Sequence, residues 1–247
     1  MNMKTSVAFC VLIAVAVAAA ENTISESSRA DDPFCYAQVN AACSSKSNPK
    51  GTKEKTVCNS RFGAMTKDES VEHILRDLQT YVNTHITRSY EYLMMATHYA
   101  NFEMNRPGFE KLFRSLADEK WNAAIGLIEY ITKRGGVMDF DQFNDLGAEP
   151  NAVSAYELYE LQSVAKALDI EKKLTKEANT IHHEVLSKNK SVHDSEMSHY
   201  IEEAFTEKQA ETIRRLSGYA TDLTALLSSN NDASLALYLF DEYLQKQ

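Results

Sequence analysis

The sequence predicts an all-α protein, a four-helix bundle with one long crossover and a short fifth C-terminal helix. Three observations carry that expectation. Glycine (8) and proline (4) are scarce in 247 residues, each under half the ~7% and ~5% of an average protein. All-β sandwiches and barrels need a turn every ~8–12 residues, so such folds are excluded. Neither residue occurs between Ala64 and Arg106 or between Asn151 and Ser217, which leaves two uninterrupted stretches long enough for paired helices. Within them apolar residues recur at steps of three and four, the period of a helix with one buried stripe.

The first element is a leader. Lys4 precedes the apolar run Val7–Ala20, which ends in Ala18-Ala19-Ala20; this is the pattern of a secretory signal peptide spanning residues 1–20. The run is shorter than the ~20 residues of a membrane span, and no later stretch is as apolar, so no membrane partner is expected. Residues 21–65 are polar and aperiodic and form a cysteine-bearing arm. Cys10 leaves with the leader, so Cys35, Cys43 and Cys58 remain. Three is an odd number in an oxidising compartment: two can pair, and the third can cross to another chain or stay free. The preferred reading is a disulfide to a partner subunit, with the pairing left open. Spacings of seven and fourteen residues, with no histidine among them, do not make a zinc site.

The bundle domain spans residues 66–247. Thr66-x-x-Glu69 is a capping box opening the first helix, whose stripe runs Val71, Ile74, Leu75, Leu78, Val82, Ile86, Leu93. Pro107 suits the first turn of a second helix, lined by Phe109, Leu112, Phe113, Leu116, Ala117, Ala124, Ile128 and Ile131 and closed by Lys133-Arg134-Gly135. A long connection follows, to Val153. Ser154-x-x-Glu157 is a second capping box, starting a third helix that runs to about Leu186. After a polar link, Asp194 caps a fourth helix extending to about Leu227, and Ala233–Leu244 forms the fifth. Short links after the first and third helices and one long link between make a bundle with a single crossover.

With 35 acids against 26 bases the net charge is −9. Binding nucleic acid needs clustered Lys and Arg to neutralise phosphates, so no nucleic-acid partner is expected. The acid excess by itself is the ordinary signature of a soluble surface.

Four strings carry a family resemblance: Tyr90-Glu91-Tyr92-Leu93, Arg134-Gly135-Gly136, Ala167-Leu168-Asp169-Ile170-Glu171-Lys172 and Leu235–Asp241. In this order and spacing the chain resembles the ferritins over residues 67–247, and with its leader and cysteine arm it looks like the secreted ferritins of insects. The resemblance implies a ferritin-like bundle, a shell of 24 subunits, and iron as cargo, stored as a ferric oxide mineral.

A di-iron carboxylate site in a bundle needs glutamates and Glu-x-x-His pairs facing inward. Only Glu196-x-x-His199 has that spacing, and it falls in the first turn of the fourth helix, at a bundle end. In register with the family, Tyr92, Glu171 and Gln209 are retained as remnants of a ferroxidase site, whereas His85, Lys120 and Ala123 replace ligands. Lys120 puts an ammonium where a bridging carboxylate is needed and can pair with Glu171 instead. The resemblance thus implies a light-type subunit with no catalytic residue and no complete metal site, assembled with copies of itself and a heavy-type partner that supplies ferroxidase activity. The alternative is a shifted active site around His85, Tyr92 and Glu171.

Other family positions read as follows. Where light-type chains carry mineral-nucleating glutamates, this chain has Lys111, Arg114, Ser115, Asp118, Glu119 and Asn122, with only Asp118 and Glu119 acidic. The threefold-channel positions are His199 and Glu202. At the fourfold axes Leu235, Leu239 and Tyr243 make an apolar plug. Asn189-Lys190-Ser191 is an N-glycosylation sequon.

Overall fold

The computed structural model describes residues 60–66, 72–140, 159–186, 193–229 and 232–247. The leader, Cys35, Cys43, Cys58, Asn189, the Ser154 capping box and all of the Thr66 box except Thr66 lie outside them. The chain divides at residues 59/60, and the described residues belong to the second unit.

Among the described residues the regular structure is helical throughout: α1 (Glu72–Ala100), α2 (Pro107–Lys133), α3 (Glu160–Leu186), α4 (195–229) and α5 (Ala233–Gln245). One 3-10 turn, Gly63–Met65, precedes them. α1 packs along α2, α3 along α4, α1 crosses to α3, and α5 lies against α2 and the end of α4. The core is the convergence of the helical stripes, with Leu78, Val82, Phe109, Phe113, Leu116, Leu127, Val164, Leu174, Leu216 and Leu223 buried. Each fully buried side chain of this kind stabilises the bundle by ~1.5–3 kcal/mol.

Helix ends follow local chemistry. Pro107 sits at the start of α2, where its missing N–H costs nothing. At the other end Gly135 has φ +78°, and the Gly135 and Gly136 N–H groups donate to the carbonyls of Thr132 (3.0 Å) and Ile131 (2.9 Å), satisfying orphan acceptors. Asp194 caps α4 through the Met197 N–H (3.0 Å), and Asp232 caps α5 through those of Ser234 and Leu235 (3.1 and 3.2 Å).

α4 departs from the continuous α-helix the periodicity predicts. Ser195–Ile201 and Glu207–Ser229 are α-helical, but Glu202–Thr206 between them is a π turn. The apolar stripe explains it. Met197, Ile201, Phe205 and Gln209 repeat at a strict step of four and are all buried, whereas an α-helix turns every ~3.6 residues and would carry such a row off its face. A wider turn keeps all four inward.

α5 is held by an electrostatic cap contributed from a distance. Asp241 Oδ1 accepts the N–H groups of Gly108 (2.9 Å) and Phe109 (3.1 Å) at the start of α2, where orphan donors and the helix dipole favour a carboxylate. Gly108 is required by the approach: a Cβ there would lie 2.1 Å from the Asp241 carbonyl oxygen.

Candidate functional site

Midway along the bundle, one residue from each long helix meets a buried polar centre. From α1, Tyr92 donates its hydroxyl to Glu171 Oε1 at 2.8 Å. From α2, Lys120 donates Nζ to Glu171 Oε2, also at 2.8 Å. Both members of the ion pair are buried, the Glu171 side chain completely. From α4, Gln209 Nε2 donates to the Tyr81 hydroxyl at 2.8 Å, which donates onward to the Leu174 carbonyl at 3.2 Å. Burial and then the negative charge of Glu171 push the Tyr92 phenol well above its usual range, so it stays a donor.

His85 stands beside this centre. Its ring meets Tyr81 edge-on at 4.5 Å and lies 5.2 Å from Phe205, yet neither ring nitrogen has a hydrogen-bond partner. Burial, with the positive charge of Lys120, lowers its pKa to about 3, so the imidazole is neutral. Ala123 is half-buried on the same face of α2 as Lys120.

Chemically this is a closed neutral pair. Each Glu171 oxygen is already bound by a donor, and the Lys120 ammonium repels any cation approaching it. Burying two charges is tolerable because each partner supplies the other's counter-charge within hydrogen-bond distance. Among the described residues no group of three or more His, Cys, Asp or Glu side chains is arranged to hold a metal ion.

The other sequence-predicted residues sit apart from it. Glu196 accepts from Tyr130 Oη at 2.6 Å and from the Arg134 guanidinium, whereas His199 is 74% exposed, 3.6 Å from Glu203. The Glu-x-x-His pair therefore faces two directions. Glu202 is exposed in the π turn. Asp118 and Glu119 are exposed, paired with Arg114 (3.8 Å) and Arg215 (3.6 Å). Leu235, Leu239 and Tyr243 form one exposed row of α5, beside the buried row Ala236, Phe240 and Leu244.

Two polar anchors escaped sequence reasoning. Arg134, at the end of α2, binds Asp194 Oδ2 (2.6 Å), the Phe62 carbonyl (2.9 Å) and the Tyr130 hydroxyl (2.7 Å). The Ala64 N–H also donates to Asp194, at 3.0 Å, so residues 62–64 are pinned to the start of α4. Asp241, capping α2, is the other. Both join residues more than 50 positions apart, which no local pattern signals; their presence inside the Arg134-Gly135-Gly136 and Leu235–Asp241 strings was the available cue.

An all-α bundle with paired neighbouring helices, a single crossover and a polar centre at mid-height defines a class of proteins. Residues 75–226 match the family model for the Ferritin-like domain, and the chain belongs to the ferritin family. It is 40% identical to the ferritin light chain of Drosophila melanogaster over 88% of this chain and 91% of that one. Its identity to the ferritin heavy chain of the same fly is 26%, over 76% and 89%. The crystal structure of Trichoplusia ni secreted ferritin superposes with a TM-score of 0.75 at 40% identity, covering 87% of this chain and 99% of that one.

Proposed function

We propose that this chain is a structural, light-type subunit of a secreted ferritin shell that stores iron as ferric mineral, with ferroxidase activity supplied by a heavy-type partner chain. The observation that carries this reading is the 2.8 Å pair of Lys120 and Glu171. Iron oxidation at a bundle centre requires Fe²⁺ to be held by carboxylate and imidazole. Here the retained carboxylate is bound by an ammonium and a phenol, and the imidazole position is Ala123. The greater identity to a light chain than to a heavy chain of one organism supports the same assignment, and the secreted relative of known structure supports export.

The test is oxygen-dependent Fe²⁺ oxidation by particles made of this chain alone, followed by ferric absorbance. The rate is expected to equal that of buffer. Rapid oxidation, with iron located beside His85, Tyr92 and Glu171, overturns the reading in favour of a shifted active site. Gel filtration of the same material is expected to give a shell of several hundred kilodaltons; a monomer overturns the structural role.

A further inference from the structure

A cleft opens between α2 and α4 with a volume of about 770 Å³, within the ~300–1,000 Å³ of small-molecule sites. Its walls are kept back by small side chains, Ala123, Gly126 and Ala204, and by the π turn that sets Phe205 against it. At Gly126 a Cβ would meet only the Tyr200 hydroxyl, at 3.9 Å. The floor is polar and incompletely bonded. Both His85 ring nitrogens and Gln209 Oε1 are buried without a partner, although buried polar groups are bonded in the great majority of cases. Charges cancel throughout: Lys120 is paired with Glu171, and the rim carries Lys208 and Arg215 against Glu119 and Glu211.

The geometry points to this cleft as a binding site for a small neutral aromatic hydroxyl compound, a phenol, whose ring lies against Phe205 and Tyr200 and whose hydroxyl bonds His85 and Gln209. Each part of that ligand answers a feature of the cleft. A neutral imidazole offers one donor and one acceptor and Gln209 Oε1 a further acceptor, which suits a group that both donates and accepts. Aromatic walls favour a flat ring. The absence of net charge on floor and rim gives no attraction to an anion or a cation. Iron chemistry enters neither this argument nor its readout, so the inference stands or falls separately from the proposed function.

The test is calorimetric titration of the assembled particle with phenol, with toluene as the same ring lacking the hydroxyl. Phenol is expected to saturate at one molecule per copy of this chain and to bind about tenfold more tightly than toluene, the order of a hydrogen bond's net contribution. His85→Phe is expected to weaken phenol about tenfold, and Ala123→Leu, which fills the cleft, to abolish saturable binding. A crystal of the unsubstituted protein soaked in 4-bromophenol gives an independent readout: bromine anomalous signal between α2 and α4. Absence of saturable phenol binding, equal binding of toluene, binding unaffected by Ala123→Leu, or bromine found only elsewhere overturns the assignment; a cleft that holds water alone gives the first of these results.

Discussion

Lys120 Nζ and Glu171 Oε2 lie 2.8 Å apart at the centre of the bundle, a lysine and a glutamate from helices on opposite sides of the crossover. The pair is electrically complete, and each charge depends on the other for its place in the core.

Removing one partner is therefore expected to be far worse than removing both. Lys120→Ala leaves a buried, uncompensated carboxylate and should cost ~3–5 kcal/mol, while Lys120→Met with Glu171→Leu should recover most of that loss or exceed the parent. Tyr92 keeps the Ala167 carbonyl, 3.2 Å away, in the double variant. Urea unfolding followed by circular dichroism decides it; equal losses in both variants contradict the account.

Converting the centre should create the missing chemistry. His85→Glu, Lys120→Glu and Ala123→His together place around Glu171 and Gln209 the carboxylates and imidazole that the proposed register calls for. Particles of this variant are expected to oxidise Fe²⁺ faster than the parent chain in a stopped-flow assay. A folded variant that stays at the buffer rate refutes the assignment of these positions.

The clamp around Arg134 makes a pH-dependent contribution. Burial pushes the Asp194 carboxyl up, but hydrogen bonds from Arg134 and from the Met197 and Ala64 N–H groups outweigh burial and hold its pKa below the ordinary value. A depressed carboxylate contributes stability that is fully present above the unfolded value, ~3.9, and is lost as pH falls through the lower folded value. Melting curves between pH 2 and 6 should show an acid loss in the parent that Asp194→Asn, which keeps the helix cap, reduces. An unchanged acid limb argues against the clamp.

Docking of α5 rests on Asp241. Asp241→Ala removes the acceptor from the Gly108 and Phe109 N–H groups and should cost ~0.5–2 kcal/mol, the worth of an N-cap. Gly108→Ala drives a methyl into the Asp241 carbonyl and should cost ~1–3 kcal/mol. Hydrogen exchange at Phe240 and Leu244 measures both, and loss of protection confined to α5 is expected.

The cysteine arm has its own test. A covalent heterodimer with a heavy-type chain on non-reducing electrophoresis, collapsing on reduction, is the expected outcome. The same monomer band in both lanes contradicts an interchain bridge through Cys35, Cys43 or Cys58.

What could be read from the sequence was whatever is local. The stripes of α1 and α2, Pro107 at the start of α2 and the Asp194 cap are decided within a few residues, and they fall where periodicity and capping chemistry put them. The Lys120–Glu171 pairing was legible as the one obvious counter-charge for a lysine placed inside the bundle. Three features were not legible. The π turn follows from a packing demand along the Met197–Gln209 row rather than from any residue in it. The Arg134 and Asp241 anchors depend on which helix ends meet. Glu196 and His199 share a helical face by spacing, yet Glu196 is drawn to Arg134, and only tertiary structure reveals that competition.

The π turn at Glu202–Thr206 has a consequence for how the length of this chain can vary. One extra residue within a turn rotates everything upstream by about 100° relative to a plain α-helix. Ser195–Ile201 and the remainder of α4 thus share an axis while keeping separate angular phases. Winding the same residues as plain α-helix would swing Asp194 away from Arg134 and release residues 62–64, at the far end of a contact that never touches the turn. Removing one residue together with the turn would leave both flanks in their present phase, because the π turn already absorbs the extra residue where it stands. Chain length can therefore change by one at this point without turning the bundle end, a tolerance that a plain helix lacks.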